Sequence, residues 1–270
     1  MKKWICCMLL MLVSMAAQAQ YEDLLSAKKG VIPGGYDFWV YTPDDYYFTM
    51  EATPLIVFLH GASICGYNMK RVLRYGPLDA VKTGLQIPAL IVAPLNHGGP
   101  WSPKKLNDML EWVYENYPYD RSRVYVLGMS LGGYGTLDFA GTYPEKIAAA
   151  MALCGGSTLH DQLGLGEVPL WIIHGTADRA ISVNESKKVV NTLKAAGKDQ
   201  RLRYDWIAGA SHGALARYFY TIKTYEWLLA HSLYDGGRPV FRGIDISQTE
   251  LKQVYRNMQR RPNEMELEME

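Results

Sequence analysis

The chain has 270 residues, enough for one α/β domain with a continuous buried sheet. Hydrophobic residues make up 49% and charged residues 20%, a balance that excludes a disordered chain. Lys and Arg number 28 against 27 Asp and Glu, so no basic surplus points to nucleic acid or to an anionic membrane surface.

The first residues read as a targeting segment. Lys2 and Lys3 form a positive start, Trp4 to Val13 an apolar stretch, and Ala17-Gln18-Ala19 a small-residue cleavage site. The apolar stretch is too short for a membrane span. Cys6 and Cys7 precede most of it, which argues against a lipid-anchored cysteine. The expectation is a signal peptide over 1–19, cleaved near Ala19, and a mature protein that is periplasmic or secreted.

Strand and helix patterns then alternate, as in a mostly parallel sheet covered by helices on both faces. Tyr36 to Tyr41 alternates and ends at Thr42-Pro43. Leu55 to Leu59, Ala89 to Ala93, Val124 to Leu127, Ala148 to Leu153 and Pro169 to Ile173 are short continuous apolar runs, the mark of strands buried on both faces. Leu202 to Ile207 alternates as an edge strand does. Helices are expected over Leu106–Tyr117, with Leu106, Met109, Leu110 and Val113 on one stripe, over Asn184–Ala196, and over Leu215–Ala230. The stretch from Gly156 to Pro169 leaves no room for a large lid domain. The catalytic domain is expected to span 20–234. A C-terminal extension over 235–270 follows, with one polar helix near Thr249–Arg260. Cys65 and Cys154 are the two cysteines of the mature chain and are expected to be buried free thiols.

Gly128-Met129-Ser130-Leu131-Gly132 matches G-x-S-x-G directly after an apolar strand and directly before a helix. In that context the serine sits on a sharp strand-to-helix turn, and small flanking residues let neighbouring strands approach. A serine hydroxyl is a weak nucleophile and needs a base held by a third group. The order serine, acid, histidine is met by Ser130, then Asp178 after the Pro169–Ile173 strand, then His212 after the Leu202–Ile207 strand. All three fall at carboxyl ends of strands, where open α/β sheets carry their sites. His60 and His174, each before a glycine at a strand end, are read as loop braces. His231 closes a helix, where a cation is favoured. Asp138, Asp161 and Asp205 lie in the wrong places for the acid. The oxyanion donors expected are the backbone N–H groups of Leu131 and of Ala62, with Ser63 as the alternative to Ala62. Substrate contacts expected at the rim are Tyr67, His97, Trp101 and Tyr134. No metal-ligand or nucleotide motif occurs, so neither a metal nor a cofactor is expected.

Leu59-His60-Gly61-Ala62, the stretch Arg71 to Ala80, the run from Asp120 through Gly135 and Cys154-Gly155-Gly156 resemble secreted esterases of the α/β-hydrolase superfamily. These are single-domain relatives of prolyl oligopeptidase, dienelactone hydrolase and the polyhydroxybutyrate depolymerase and feruloyl esterase group. The resemblance covers about Tyr36 to His231. It implies the α/β-hydrolase fold and hydrolysis of small or carbohydrate-linked carboxylic esters through an acyl-enzyme, with Ser130, Asp178 and His212 as the triad. Ser63-Ile64-Cys65 departs from the polar or acidic residues that relatives carry there. A peptidase or thioesterase using the same triad, and a non-catalytic binding protein on the same fold, are the alternatives.

Overall fold

The computed structural model describes residues 21–257. The expected signal peptide and the end of the C-terminal extension lie outside them. Eight strands form one sheet: β1 (Leu25–Lys28), β2 (Asp37–Tyr41), β3 (Leu55–Leu59), β4 (Leu90–Leu95), β5 (Val124–Met129), β6 (Ala149–Leu153), β7 (Leu170–Gly175) and β8 (Leu202–Ile207). Their spatial order is β1-β2-β4-β3-β5-β6-β7-β8. β1 and β2 pair antiparallel, as do β2 and β4, and every other pairing is parallel.

Alternate strand residues enter two cores, one on each face. Leu55, Val57, Leu59, Val124, Val126, Ala150, Ala152, Leu170 and Ile172 face one core. Three helices cover it: α3 (Pro103–Asn116), α4 (Leu131–Thr142) and α5 (Val183–Ala195). Ile56, Phe58, Tyr125, Leu127, Met151, Trp171 and Ile173 face the other. That core is closed by α2 (Pro77–Lys82), the 3-10 turns of Gly213–Tyr220, α6 (Ile222–Leu229) and α7 (Gln248–Gln253). A single turn, α1 (Tyr46–Thr49), lies between β2 and β3. The stripe Leu106, Met109, Leu110 and Val113 is the buried side of α3, as its spacing requires. Helix α5 ends before Gly197, which adopts a φ of +64° that favours glycine. No described helix is long and apolar enough to cross a membrane, and no separate lid domain interrupts the described residues. The connection from β6 to β7 carries only the 3-10 turn Leu163–Glu167.

Four local expectations change. β1 was not anticipated, because its short Leu25–Lys28 segment is half polar and lies at the sheet edge. β4 continues through Pro94, since its pairing with β3 ends at Val92 and only β2 accompanies it further. The helix expected over Leu215–Ala230 is broken at Thr221, whose backbone is extended. There the Thr224 hydroxyl donates to the Tyr218 carbonyl and the Tyr225 hydroxyl to the Phe219 carbonyl, both at 2.6 Å, in place of helical backbone bonds. Cys65 is only half-buried whereas Cys154 is buried, and no disulfide joins them. Beyond Asp235, Val240, Ile246, Leu251 and Val254 pack into the same core as β3 and β5.

Candidate active site

Ser130 stands between β5 and α4 with φ 61° and ψ −122°, a conformation that non-glycine residues avoid at a cost of about 1–3 kcal/mol. The surroundings hold it there. Its N–H donates to the Leu153 carbonyl at 2.9 Å, and its carbonyl accepts the Tyr134 N–H at 3.0 Å. A side chain at Gly132 would land on the Leu59 carbonyl, and one at Gly128 would meet both that carbonyl and Gly132. Bare glycine on both sides is therefore what lets the elbow fit against β3.

The loops after β7 and β8 are sewn to one another. Thr176 N–H donates to Ile207 O at 2.9 Å, Ala177 N–H to Ala210 O at 3.1 Å, and Gly209 N–H to the Thr176 hydroxyl at 3.0 Å. That stitching brings Asp178 against His212: Nδ1 of the imidazole lies 2.7 Å from Asp178 Oδ2. The other carboxylate oxygen accepts the N–H groups of Ala180 at 2.9 Å and Ile181 at 2.8 Å. The Asp178 side chain has no solvent exposure, while His212 keeps 14%. With Nδ1 engaged on the carboxylate, Nε2 is the nitrogen left for proton transfer.

On the far side of Ser130, Gly61 ends the β3 loop, and a Cβ added there would stand 3.4 Å from the Ser130 Cβ. Ala62 opens a 3-10 turn, and Leu131 opens α4. A first helical residue has no preceding turn to accept its N–H, so neither amide has an intrahelical acceptor. The Gly61 N–H instead donates to the Tyr75 hydroxyl at 2.6 Å.

His60 is fully buried, with Nδ1 2.8 Å from Gly61 O and Nε2 accepting the Asn96 N–H at 3.0 Å. Burial pushes its pKa down to about 4, so the ring is a neutral brace between the β3 and β4 loops. Asp138 accepts from Ser157 and Thr158 and anchors the loop after β6. His231 is corrected: it is no cation at a helix end. It is buried, its Nδ1 faces Trp227 O at 2.8 Å, and its Nε2 accepts the Phe241 N–H at 2.9 Å, which requires a neutral ring. Burial lowers its pKa accordingly.

The four expected rim contacts divide. Trp101 is corrected to a core residue at 3% exposure: its indole N–H reaches the His60 carbonyl at 3.3 Å, and its ring lies against Tyr36 and beneath Gly135. Nothing in the Gly98-Gly99-Pro100-Trp101 string distinguishes an anchor from a contact. Tyr67 is 85% exposed and packs on His97 with ring centres 4.5 Å apart. Tyr134 is partly exposed, and its hydroxyl lies 3.4 Å from Glu185 Oε2. Burial, then the Glu185 charge, raises its pKa.

The sequence alone gave no hint that Cys154 joins this neighbourhood. It is buried with a φ of +41°, and its sulfur, Asp178 and His212 offer ligand atoms within 4.8 Å of one another. As a metal site the group is poor, since the carboxylate and imidazole atoms already bind each other at 2.7 Å.

The sheet order, the strained serine after β5 and the paired residues after β7 and β8 define one known architecture. The chain has the α/β-hydrolase fold. Within it, residues 102–224, which include Ser130, Asp178 and His212, match the dienelactone hydrolase family. Acetylxylan esterase A of Emericella nidulans is 39% identical over 61 residues, 23% of this chain and 20% of that protein. The aligned stretch thus spans about a fifth of the curated relative. Among solved structures, a thermostable esterase superposes with a TM-score of 0.64 at 24% identity, covering 78% of this chain and 64% of the other. The feruloyl esterase module from Clostridium thermocellum, complexed with sinapinate, superposes with a TM-score of 0.57 at 16% identity, covering 74% and 87%. At those identities the superpositions establish the fold alone.

Proposed function

We propose that this α/β-hydrolase is an exported serine carboxylesterase that cleaves small or carbohydrate-linked esters through an acyl-enzyme. The observation that carries the reading is the 2.7 Å contact of His212 Nδ1 with buried Asp178 Oδ2, on the sheet edge that bears strained Ser130. In this reading Ser130 Oγ attacks the ester carbonyl carbon while His212 Nε2 takes the hydroxyl proton. Asp178 holds the imidazole in the tautomer that leaves Nε2 free and stabilises the charge it gains. The carbonyl oxygen, now an anion, receives the N–H groups of Ala62 and Leu131. Collapse breaks the bond to the alcohol, which leaves with the proton from His212. Water then gives a proton to His212, attacks the acyl carbon, and the carboxylic acid departs as Ser130 is reprotonated. Export is supported by Lys2, Lys3, the apolar run Trp4 to Val13 and Ala17-Gln18-Ala19. The carbohydrate side of the substrate class is supported by the aligned acetylxylan esterases.

The test is labelling with a fluorophosphonate, mapped by mass spectrometry, on wild type and Ser130→Ala, followed by a panel of ester, thioester and amide substrates. The expected result is one labelled residue, Ser130, no label in the variant, and turnover of acetyl esters ahead of thioesters and amides. Folded protein that takes no label and leaves every ester intact overturns the reading.

A further inference from the structure

Asp178 accepts from more than His212. His174, the penultimate residue of β7, is fully buried, and its Nε2 lies 3.3 Å from the same Oδ2 and 3.0 Å from the Ile181 carbonyl. Both neighbours are acceptors, so Nε2 carries a proton. Nδ1 lies 2.7 Å from the hydroxyl oxygen of Ser186, near the start of α5, and that hydroxyl donates to the Gly155 carbonyl after β6. Burial lowers the pKa of His174. The ionisable groups facing this imidazole are Asp178 on its own loop and His212 at the end of the β8 loop. Cys154, from β6, stands beside that pair.

We propose that His174 is a positioning residue: by donating Nε2–H to Asp178 Oδ2 and Ile181 O it fixes the carboxylate and limits how strongly His212 holds a proton. The inference rests on the proposed role of Asp178 and His212. Its physical content is competition. One carboxylate oxygen shared between two N–H donors gives less of its charge to either. Two neighbouring backbone amides on Oδ1 would leave Oδ2 with one donor if His174 were apolar. The same ring ties three loops of the site together, those after β6 and β7 and the start of α5.

The experiment compares wild type, His174→Leu, His174→Gln and Ser186→Ala on a soluble acetyl ester, with functional sites counted by fluorophosphonate burst so that misfolded protein drops out. Per counted site, His174→Leu is expected to lower kcat by about 10–100-fold. Its acidic limb of the kcat/KM profile should move to higher pH by about half a unit or more. His174→Gln, which can still donate an N–H, should recover most of that shift, and Ser186→Ala should leave the limb in place. A His174→Leu enzyme whose counted sites turn over with an unmoved limb overturns the proposal, and so does a loss of kcat with no shift, which marks a merely structural brace. His212→Ala is the control: if it keeps full activity, the catalytic reading itself fails, whatever His174 does.

Discussion

Two parts of the sheet's carboxyl edge are built by opposite means. The elbow after β5 is held by backbone against backbone: Ser130 lies between the Leu153 carbonyl and the first turn of α4, with Gly128 and Gly132 pressed on the Leu59 carbonyl. The rim formed by the loops after β3 and β4 is held by side chains. Arg71 donates to the carbonyls of Ser63 and Cys65, Asn96 binds Gly98 and Gly99, and His60 joins the two loops from below. A backbone vice tolerates no added atom and no shift, because carbonyls cannot rotate away. A side-chain lattice keeps a loop in place yet lets its outermost residues change. Ser130 occupies the rigid part, and the exposed aromatic pair Tyr67 and His97 the adaptable one.

The harshest way to break that contrast is one methyl group. Gly132→Ala puts a Cβ onto the Leu59 carbonyl, with β3 and α4 both locked by the sheet. The expected loss is at least about 4 kcal/mol of stability, with little folded protein and no serine labelling. Gly61→Ala, on the rim side of the same serine, meets nothing nearer than 3.4 Å and has an ordinary φ of −78°. It should keep its melting temperature within a few degrees. Paired thermal melts decide it: equal losses in the two variants would end the distinction between vice and lattice.

How far the sequence foretold this edge follows the same division. β3, β5, β6 and β7 were legible because strands buried on both faces must be continuous apolar runs, and Ser130 because G-x-S-x-G fell between such a run and a helix. Chain order alone carried Asp178 and His212 to the loops that the structure binds together. What could not be read depends on partners far away in sequence. Trp101 looks the same as an anchor or as a contact until Gly135 is known to sit on its ring. The break at Thr221 depends on hydroxyls of Thr224 and Tyr225 turning back on the preceding carbonyls. Cys154 stands beside Asp178 only because β6 and β7 lie side by side.

Acid sharpens the comparison, because the rim's brace titrates. His60 has its pKa pushed by burial from 6.5 to about 4, and burial lowers those of His174 and His231 as well. A depressed pKa means the unfolded chain takes up the proton first. The stability His60 lends is therefore complete above about pH 6.5, where both states are neutral, and is lost as pH falls towards about 4. For His60 alone the loss amounts to about 3 kcal/mol, with the other two adding in the same direction. Urea midpoints taken at about pH 7 and about pH 4.5 should differ accordingly, and His60→Asn should remove much of the difference. Midpoints that coincide at the two pH values would mean that these rings are not held neutral.

The smallest effect belongs to the outermost residue. Tyr67 is 85% exposed and packs on His97, while the loop beneath it is fixed by Arg71 and by the Gly66 N–H on the Asn96 carbonyl at 3.1 Å. Tyr67→Ala should leave the fold, the serine labelling and the turnover of a small acetyl ester within about 2-fold of wild type, since surface changes away from packed features are worth about 0.5 kcal/mol or less. On an acetylated oligosaccharide the KM should rise by about 3- to 10-fold, because an exposed ring stacked on a second ring is a rigid face for an apolar sugar surface and is worth about 1 kcal/mol. The two substrates read the two halves of the edge separately. An unchanged KM on the oligosaccharide makes the aromatic pair ornament on the loop. A fall in small-ester turnover beyond about 2-fold would instead mean that the rim and the elbow are mechanically one piece, because the ring that Tyr67 packs on is His97 and not a group that holds Ser130.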